Sequence, residues 1–173
     1  MPAPSASAFI DQVDPDDRAV GRVRRGEALP LGANFRTVHV FVFSDQQLLL
    51  QRLAQTRERH PGRWGSSVAA YLFAGESYEE AARRRLAEEL GLEGDLTTIG
   101  KMRMVDERSL KFVELYALEE GPAEIREPDH IAELRYWDQA VLDVAVESSS
   151  AIFTPTFLNV YRFYRQRLAT ATT

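Results

Sequence analysis

The alternation of apolar and polar residues divides the chain into short extended segments on either side of one well-marked helix. Residues 37–43 form a nearly continuous apolar run, which is typical of a strand buried on both faces, and residues 48–53 are predicted as the next strand. Turn residues at 14–17 separate two shorter runs and predict a hairpin. The other predicted strands cover residues 9–13, 19–23, 67–73, 98–105, 110–118 and 131–137.

The clearest helical pattern covers residues 77–90. Ser77 and Glu80 are spaced as a capping box, and Gly91 suits the left-handed cap that ends many helices. Residues 54–65 are polar and basic and predict a loop. Two further helices are predicted near the C-terminus, at residues 138–146 and 155–168.

Strands before and after one central helix, closed by a terminal helix, predict an α/β fold whose mixed β-sheet lies between helices. A chain of 173 residues is long enough for one domain with a sizeable core. We expect that domain to cover residues 8–170, behind a disordered N-terminal segment of residues 1–7. No apolar run has transmembrane length and the first residues do not resemble a secretion signal, so we expect a cytoplasmic protein without a membrane partner.

The charge balance and the cysteine count exclude several functions. The net charge is −5, from 26 acidic and 21 basic residues, whereas binding of extended nucleic acid needs a basic face. A small polyphosphate ligand remains compatible, because a few arginines or a bound metal ion reverse the field within one pocket. The chain has no cysteine, which excludes disulfides, thiolate metal sites and cysteine nucleophiles.

Residues 70–92 contain the most informative motif. It resembles the Nudix box, in which a Gly, a Glu, an Arg-Glu pair, a Glu-Glu pair and a final Gly recur at fixed spacing. Two positions depart from that pattern: Ala70 replaces the first Gly, and Arg85 replaces the Glu of the Arg-Glu pair. Seven positions match in register: Glu76, Arg84, Leu86, Glu88, Glu89, Gly91 and Leu92.

The resemblance implies the Nudix fold and hydrolysis of a phosphoanhydride bond in a nucleoside diphosphate derivative or a related organic diphosphate. It also implies that Glu88, Glu89 and the carbonyl group of Ala69 bind Mg²⁺ or Mn²⁺, with Glu88 and Glu89 acting in catalysis. In the same motif, Glu76 and Arg84 would join the loop to the helix as an ion pair. Gly91 would be the third structural residue of the motif.

Arg85 changes the expected chemistry. Helical geometry places it between Glu88 and Glu89, within one sector of about 100°. A guanidinium cannot act as a general base and repels metal ions, but it binds a phosphate well. We therefore expect slow hydrolysis, with Glu114 or Glu107 as the catalytic base. The alternative is a catalytically weak module that binds a nucleotide or a phosphorylated metabolite.

The basic loop before the box resembles the isopentenyl-diphosphate isomerase branch of the family. That branch also has Arg-Arg at positions 84 and 85, and its diphosphate-binding loop is matched by residues 51–62. The resemblance implies that Arg52 and Arg57 bind the substrate together with Arg85. Read without it, Arg52 and Arg57 are equally well explained as ordinary loop charges.

Other residues of that branch are replaced here. The isomerase needs a Cys and a His beside the first box position, where this chain has Ala69 and Tyr71, so we expect no isomerase activity. His39 matches one of the branch's metal ligands, but its apolar strand favours a core histidine. The acids of residues 119–129 are typical of a solvated loop, and the aromatic residues of 153–164 favour a buried face or a homodimer contact.

Overall fold

The computed structural model describes residues 6–119 and 121–171, and the predicted strands and helices are found close to their expected bounds. The strands are β1 (Phe9–Val13), β2 (Ala19–Arg24), β3 (Phe35–Ser44), β4 (Gln47–Leu53), β5 (Trp64–Gly65), β6 (Val68–Tyr71), β7 (Thr97–Asp106), β8 (Ser109–Glu119) and β9 (Ile131–Asp138). The helices are α1 (Ala28–Leu31), α2 (Tyr78–Leu90), α3 (Gln139–Ser148) and α4 (Pro155–Ala171).

Two short elements were not predicted from the sequence. Helix α1 forms one turn where Pro30 and Gly32 suggested a break. Pro30 is tolerated because a proline in the first turn removes no intrahelical hydrogen bond, and Gly32 ends the turn at φ 68°. Strand β5 lies inside the segment expected to be a loop, where it pairs with β4.

The N-terminal segment differs from the expectation where it is described. Residues 1–5, which belong to the expected disordered segment, lie outside the described residues. The carbonyl oxygen of Ala6 accepts a hydrogen bond from the backbone of Gly26 at 2.9 Å. That of Ser7 accepts one from Arg24 Nη1 at 3.1 Å. These two residues therefore pack against β2 and the turn that follows it.

The mixed sheet divides into two parts, and this division makes room for a site. Strand β3 runs parallel to β8 along nine residue pairs, and β8 pairs with β7 in a hairpin. Strands β3 and β4 pair with each other only next to their turn, at Phe43–Leu48 and Ser44–Gln47. Beyond that point β3 pairs with β6, whereas β4 pairs with β5 and β9. The two strands therefore diverge and leave a gap between them.

Helices cover both faces of the sheet, as the α/β prediction requires. Val38, Val40 and Val42 of β3 pack in the cluster that contains α2. Phe41 points the other way, into the cluster that contains α3 and α4. Both faces of β3 are fully buried, which explains its continuous apolar run. The predicted fold class is confirmed.

The aromatic residues of α4 belong to the core of the chain. Phe157, Tyr161 and Tyr164 all contact the ring of Phe41, at centroid distances of 6.0, 6.4 and 5.5 Å. Burial of each such ring contributes roughly 1.5–3 kcal/mol. Of the two explanations for their helical spacing, the buried face therefore accounts for these three residues.

Candidate functional site

The start of α2 is tied to the preceding loop by local contacts. Ser77 Oγ accepts a hydrogen bond from the backbone of Glu80 at 3.1 Å. Arg84 donates from Nε and Nη2 to Glu76 at 2.7 and 2.9 Å. Glu76 in turn accepts from the backbone of Phe73 at 2.9 Å. These contacts fix the loop against the helix.

Arg85 is the centre of a buried cluster of carboxylates. Its side chain is 2% exposed. Nη1 donates to Glu88 at 2.6 Å and to Glu127 at 3.1 Å. Nη2 donates to Glu127 at 2.9 Å and to Glu89. One guanidinium group therefore binds three carboxylates.

Burial and pairing act in opposite directions on this cluster. Burial alone would lower the pKa of Arg85, but the carboxylates of Glu89, Glu127 and Glu88 outweigh that effect and raise it. Burial raises the pKa of Glu89, while Arg85 and Gln51 oppose the rise. Gln51 reaches Glu89 at 3.2 Å and the carbonyl group of Ser67 at 2.8 Å, and so connects β4 to the helix.

The loop of residues 121–130 completes the cluster, contrary to the expectation of a solvated loop for Glu127. The backbone of Arg126 donates to the carbonyl oxygen of Glu89 at 2.9 Å, which docks the loop on the end of α2. Glu89, Glu127 and His130 each offer a metal-ligand atom, and these atoms lie within 4.8 Å of one another. Burial, helped by the nearby arginines, lowers the pKa of His130 to about 4, so its ring is neutral at pH 7.

A cavity of about 520 Å³ lies beside this cluster, in the gap between the two parts of the sheet. Arg85, Glu89 and Gln51 line its acidic end. Four further cations line it: Arg25, Arg57, Arg59 and Lys111. Its size suits a small phosphorylated metabolite.

Arg25 and Arg57 reach the cavity without a carboxylate partner among residues 6–119 and 121–171. The guanidinium of Arg25 lies over the ring of Tyr71 at 5.4 Å, and its Nε is buried without a hydrogen-bond partner. Burial lowers the pKa of Arg57. Two such cations attract an anionic ligand.

Arg59 and Lys111 share a single carboxylate. Arg59 donates twice to Asp106, at 3.2 and 2.9 Å. Lys111 Nζ donates to Asp106 at 3.0 Å and to Thr156 Oγ1 at 2.7 Å. Burial lowers the pKa of Lys111, against the effect of Asp106.

His39 lines the same cavity as a buried neutral group. Its Nδ1 lies 2.7 Å from Ser66 Oγ. Burial and, to a smaller degree, Lys111 lower its pKa to about 3. His39 therefore stays uncharged at neutral pH and faces a cation instead of acids.

The NUDIX domain family model matches residues 33–156. The chain belongs to the NUDIX family. An isopentenyl-diphosphate Delta-isomerase of Nocardia farcinica is 31% identical over 161 residues, which cover 87% of this chain and 91% of that protein. An uncharacterised Nudix hydrolase of Streptomyces coelicolor is 37% identical over 91 residues, which cover 52% of this chain and 50% of that protein. The chain thus matches about half the length of that hydrolase, and its relatives include proteins named as Nudix hydrolases and as isopentenyl-diphosphate isomerases.

Solved structures show the same fold. DR0079 from Deinococcus radiodurans gives a TM-score of 0.73 at 22% identity and covers 90% of this chain and 99% of its own. The NUDIX domain of Shewanella oneidensis NrtR, solved as a complex with ADP ribose, gives 0.60 at 20% identity and covers 79% and 89%. At these identities the likeness is one of fold.

Several residues predicted from the Nudix resemblance lie away from the cavity. Glu114 shares the face of β8 that carries Tyr116, which is covered by α2. Glu107 sits exposed in the β7–β8 turn at φ 55°. Arg52 pairs with Glu133 of β9 at 3.2 Å. None of these three is among the described residues that line the cavity.

Other predicted residues do meet at the site. Arg57, Arg85, Glu89 and Ala69 all line the cavity, and Glu88 binds Arg85 at its edge. The residues that sequence reasoning missed come from four separate segments and had no shared spacing to reveal them: Arg25, Arg59, Lys111, Glu127 and His130. None of the described helices is both long and apolar enough to cross a membrane.

Proposed function

We propose that the chain hydrolyses a phosphoanhydride bond in a small organic diphosphate, of which nucleoside diphosphate derivatives are one class. One observation carries the proposal: a cavity lined by five cationic side chains, one of them Arg85, adjoins the carboxylates of the Nudix helix. Arginine and lysine bind phosphate oxygens through charge-assisted hydrogen bonds, and preorganised cations stabilise the charge that develops during phosphoryl transfer. The ADP ribose bound by the Shewanella relative belongs to this ligand class.

Each side chain has a role within this proposal. Arg25 and Arg57 bind the diphosphate. Glu89 is the preferred general base, because it lines the cavity and burial raises its pKa. Glu114 and Glu107, the two bases expected from the sequence, do not line the cavity. Arg85 holds Glu88 and Glu89 in place.

The donor set for a divalent ion is present, with one obstacle. Glu89, Glu127 and His130 offer two carboxylates and a neutral imidazole, which suits Mn²⁺ as well as Mg²⁺. A bound ion would neutralise phosphate charge and lower the pKa of an attacking water. Arg85 already binds Glu89 and Glu127, so an ion must compete with its guanidinium. We therefore propose slow turnover.

Arg85 also favours a second candidate function, a binding module with little catalysis. If the guanidinium group of Arg85 stayed bound to Glu88, Glu89 and Glu127 and so excluded a metal ion, the cations of the cavity would still bind a phosphorylated ligand. A cytoplasmic location and a homodimer stay predictions, which fractionation and sedimentation velocity would check.

Hydrolysis of a panel of organic diphosphates with Mn²⁺ and with Mg²⁺, measured as release of inorganic phosphate or of the two phosphomonoester products, tests the hydrolase. We expect slow release that Glu89→Gln abolishes. Glu79→Gln is the matched control, because Glu79 lies exposed on the same helix and pairs only with Arg83 in the described residues. Calorimetric binding without release in the wild type would support the module instead. Neither binding nor release would rule out both.

A further inference from the structure

The cations of the cavity fall into two groups. Arg25 and Arg57 form the first group, next to His130, whose pKa both of them help to lower. Arg59 and Lys111 form the second group, joined by Asp106. The first group lies beside Tyr71, whose ring is 5.4 Å from the Arg25 guanidinium, and neither Arg25 nor Arg57 forms an ion pair with Asp106 among the described residues. The cavity therefore offers two separate positive ends.

The second group has an excess of positive charge. One carboxylate, Asp106, serves both Arg59 and the buried Lys111. The remaining close partner of Lys111 is the hydroxyl group of Thr156, which is neutral. Thr156 lies in the first turn of the 17-residue helix α4, whose N-terminal end adds a partial positive charge. A second anion would complete this group, because a buried cation is costly unless it is paired.

The residues that line the cavity favour a ligand in which a polar group joins the two phosphate ends. Tyr71 is the one phenyl or indole side chain among the described residues that line the cavity, beside the imidazole rings of His39, His60 and His130. Its ring stacks on Phe35 at 5.1 Å, and Arg25 lies over it as well. No uncovered phenyl or indole face therefore remains among these residues for a nucleobase. Leu53 is the one large aliphatic side chain of the lining, so an isoprenoid tail lacks an apolar wall.

We propose that Arg59 and Lys111 form a second phosphate subsite, so that the preferred ligand is a sugar-like polyol with a diphosphate at one end and a separate phosphate at the other. The inference rests on the proposed function, since it assumes that the first group binds the diphosphate. It names a substrate class that the Nudix motif itself does not specify.

Isothermal titration calorimetry in EDTA, which limits metal-dependent turnover, tests the subsite. The two-ended probe is 5-phosphoribosyl 1-diphosphate. ADP and isopentenyl diphosphate are the one-ended probes, with a base or an apolar tail. We expect the two-ended probe to bind at least about tenfold more tightly, since one charge-assisted contact contributes that much.

Lys111→Met removes the buried cation and keeps an unbranched side chain. We expect this substitution to weaken binding of the two-ended probe by about tenfold or more, and binding of the one-ended probes by less than about threefold. Lys101→Met is the matched control, because Lys101 is the other lysine of the chain and pairs with Asp17 outside the cavity. Arg59→Gln repeats the test at a partly exposed position, should Lys111→Met fail to fold.

The outcomes separate the two proposals. Equal affinity for all three probes in the wild type, or an equal loss in Lys111→Met, would overturn the second subsite. If a one-ended probe is nevertheless bound and hydrolysed, the proposed function stands without it. If none of the three is bound or hydrolysed, the proposed function fails and the subsite with it.

Discussion

Arg84 and Arg85 are neighbours on one helix, yet they use the same guanidinium group in opposite ways. Arg84 binds Glu76 eight positions away, within its own loop and helix, and stays 19% exposed. Arg85 is 2% exposed and binds three carboxylates, of which Glu127 lies 42 positions further along the chain. A rotation of about 100° around the helix separates Arg84, at the edge of the site, from Arg85 inside it. We call these two positions the rim and the interior of the site.

This difference in burial decides how much each arginine matters. The Arg84–Glu76 pair keeps partial contact with water, with 19% and 12% of the two side chains exposed, so it is screened more than the Arg85 contacts, whose guanidinium is 2% exposed. A buried charge depends on its partners, because removing one leaves the other without water or a counter-charge. The Arg84 contacts therefore set the shape of the loop, whereas the Arg85 contacts set the stability and the metal affinity of the site.

The largest expected effect comes from removing a buried partner. Glu89→Ala leaves Arg85 with fewer carboxylates inside the protein and should lower the free energy of unfolding by about 3 kcal/mol. Urea denaturation followed by circular dichroism measures it. Glu79→Ala, at the exposed ion pair of the same helix, should cost less than about 1 kcal/mol. Equal losses in the two variants would remove the distinction between rim and interior.

The contacts of Arg84 within its loop and helix could be predicted from the spacing of residues along the chain. Glu76, Ser77, Arg84 and Gly91 lie within one loop and its helix, so their fixed intervals already specify which groups meet. The positions of the strands along the chain could also be predicted, because burial on both faces leaves a continuous apolar run such as residues 37–43. The fold and the motif helix could therefore be predicted from the sequence.

The interior of the site could not be predicted in the same way. Glu127 reaches Arg85 because its loop docks on the end of α2 through backbone hydrogen bonds, which no side-chain pattern encodes. Glu114 was misplaced for a related reason: alternation along β8 says which residues share a face, but not which face meets the cavity. Lys111 sits on the opposite face from Glu114 and does line it.

The buried interior should also give the protein its acid sensitivity. His39 has a pKa of about 3 in the folded protein, against an ordinary value of 6.5. Between these values the unfolded chain binds a proton that the folded chain does not, so stability falls as the pH falls. From pH 7 to pH 5 the loss from His39 should be about 2 kcal/mol.

Denaturation of His39→Gln at both pH values isolates that contribution. Between pH 7 and pH 5 the free energy of unfolding of the variant should fall by about 2 kcal/mol less than that of the wild type, since the effects of the carboxylates are common to both proteins. Identical pH profiles would mean that the ring of His39 is accessible to protons in the folded state.

A smaller effect is expected when Arg85 is replaced by Glu, the residue that the Nudix box has at this position. Arg85→Glu removes the cation that competes for Glu89 and Glu127, and should raise the affinity for Mn²⁺ at least about tenfold, or 1.4 kcal/mol. Titration calorimetry measures the affinity directly. Arg83→Glu makes the same charge change on the exposed face of α2 and should leave it nearly unaltered. A wild-type affinity that already equals the variant's would show that Arg85 does not oppose the ion.

The smallest effect on stability belongs to the rim. Glu76→Gln keeps the shape of the side chain and its acceptor for Phe73 but removes the charge opposite Arg84, so the free energy of unfolding should fall by only about 1 kcal/mol. The Arg84–Glu76 pair holds the loop before α2, so the rate of turnover should fall more than the stability does. Urea denaturation measures the stability, and a phosphate-release assay measures the turnover. A loss near 3 kcal/mol would place Arg84 in the same class as Arg85. The rim and the interior of α2 would then be one electrostatic unit, coupled through Glu88, which lies 3.6 Å from Arg84 Nη1 and 2.6 Å from Arg85 Nη1.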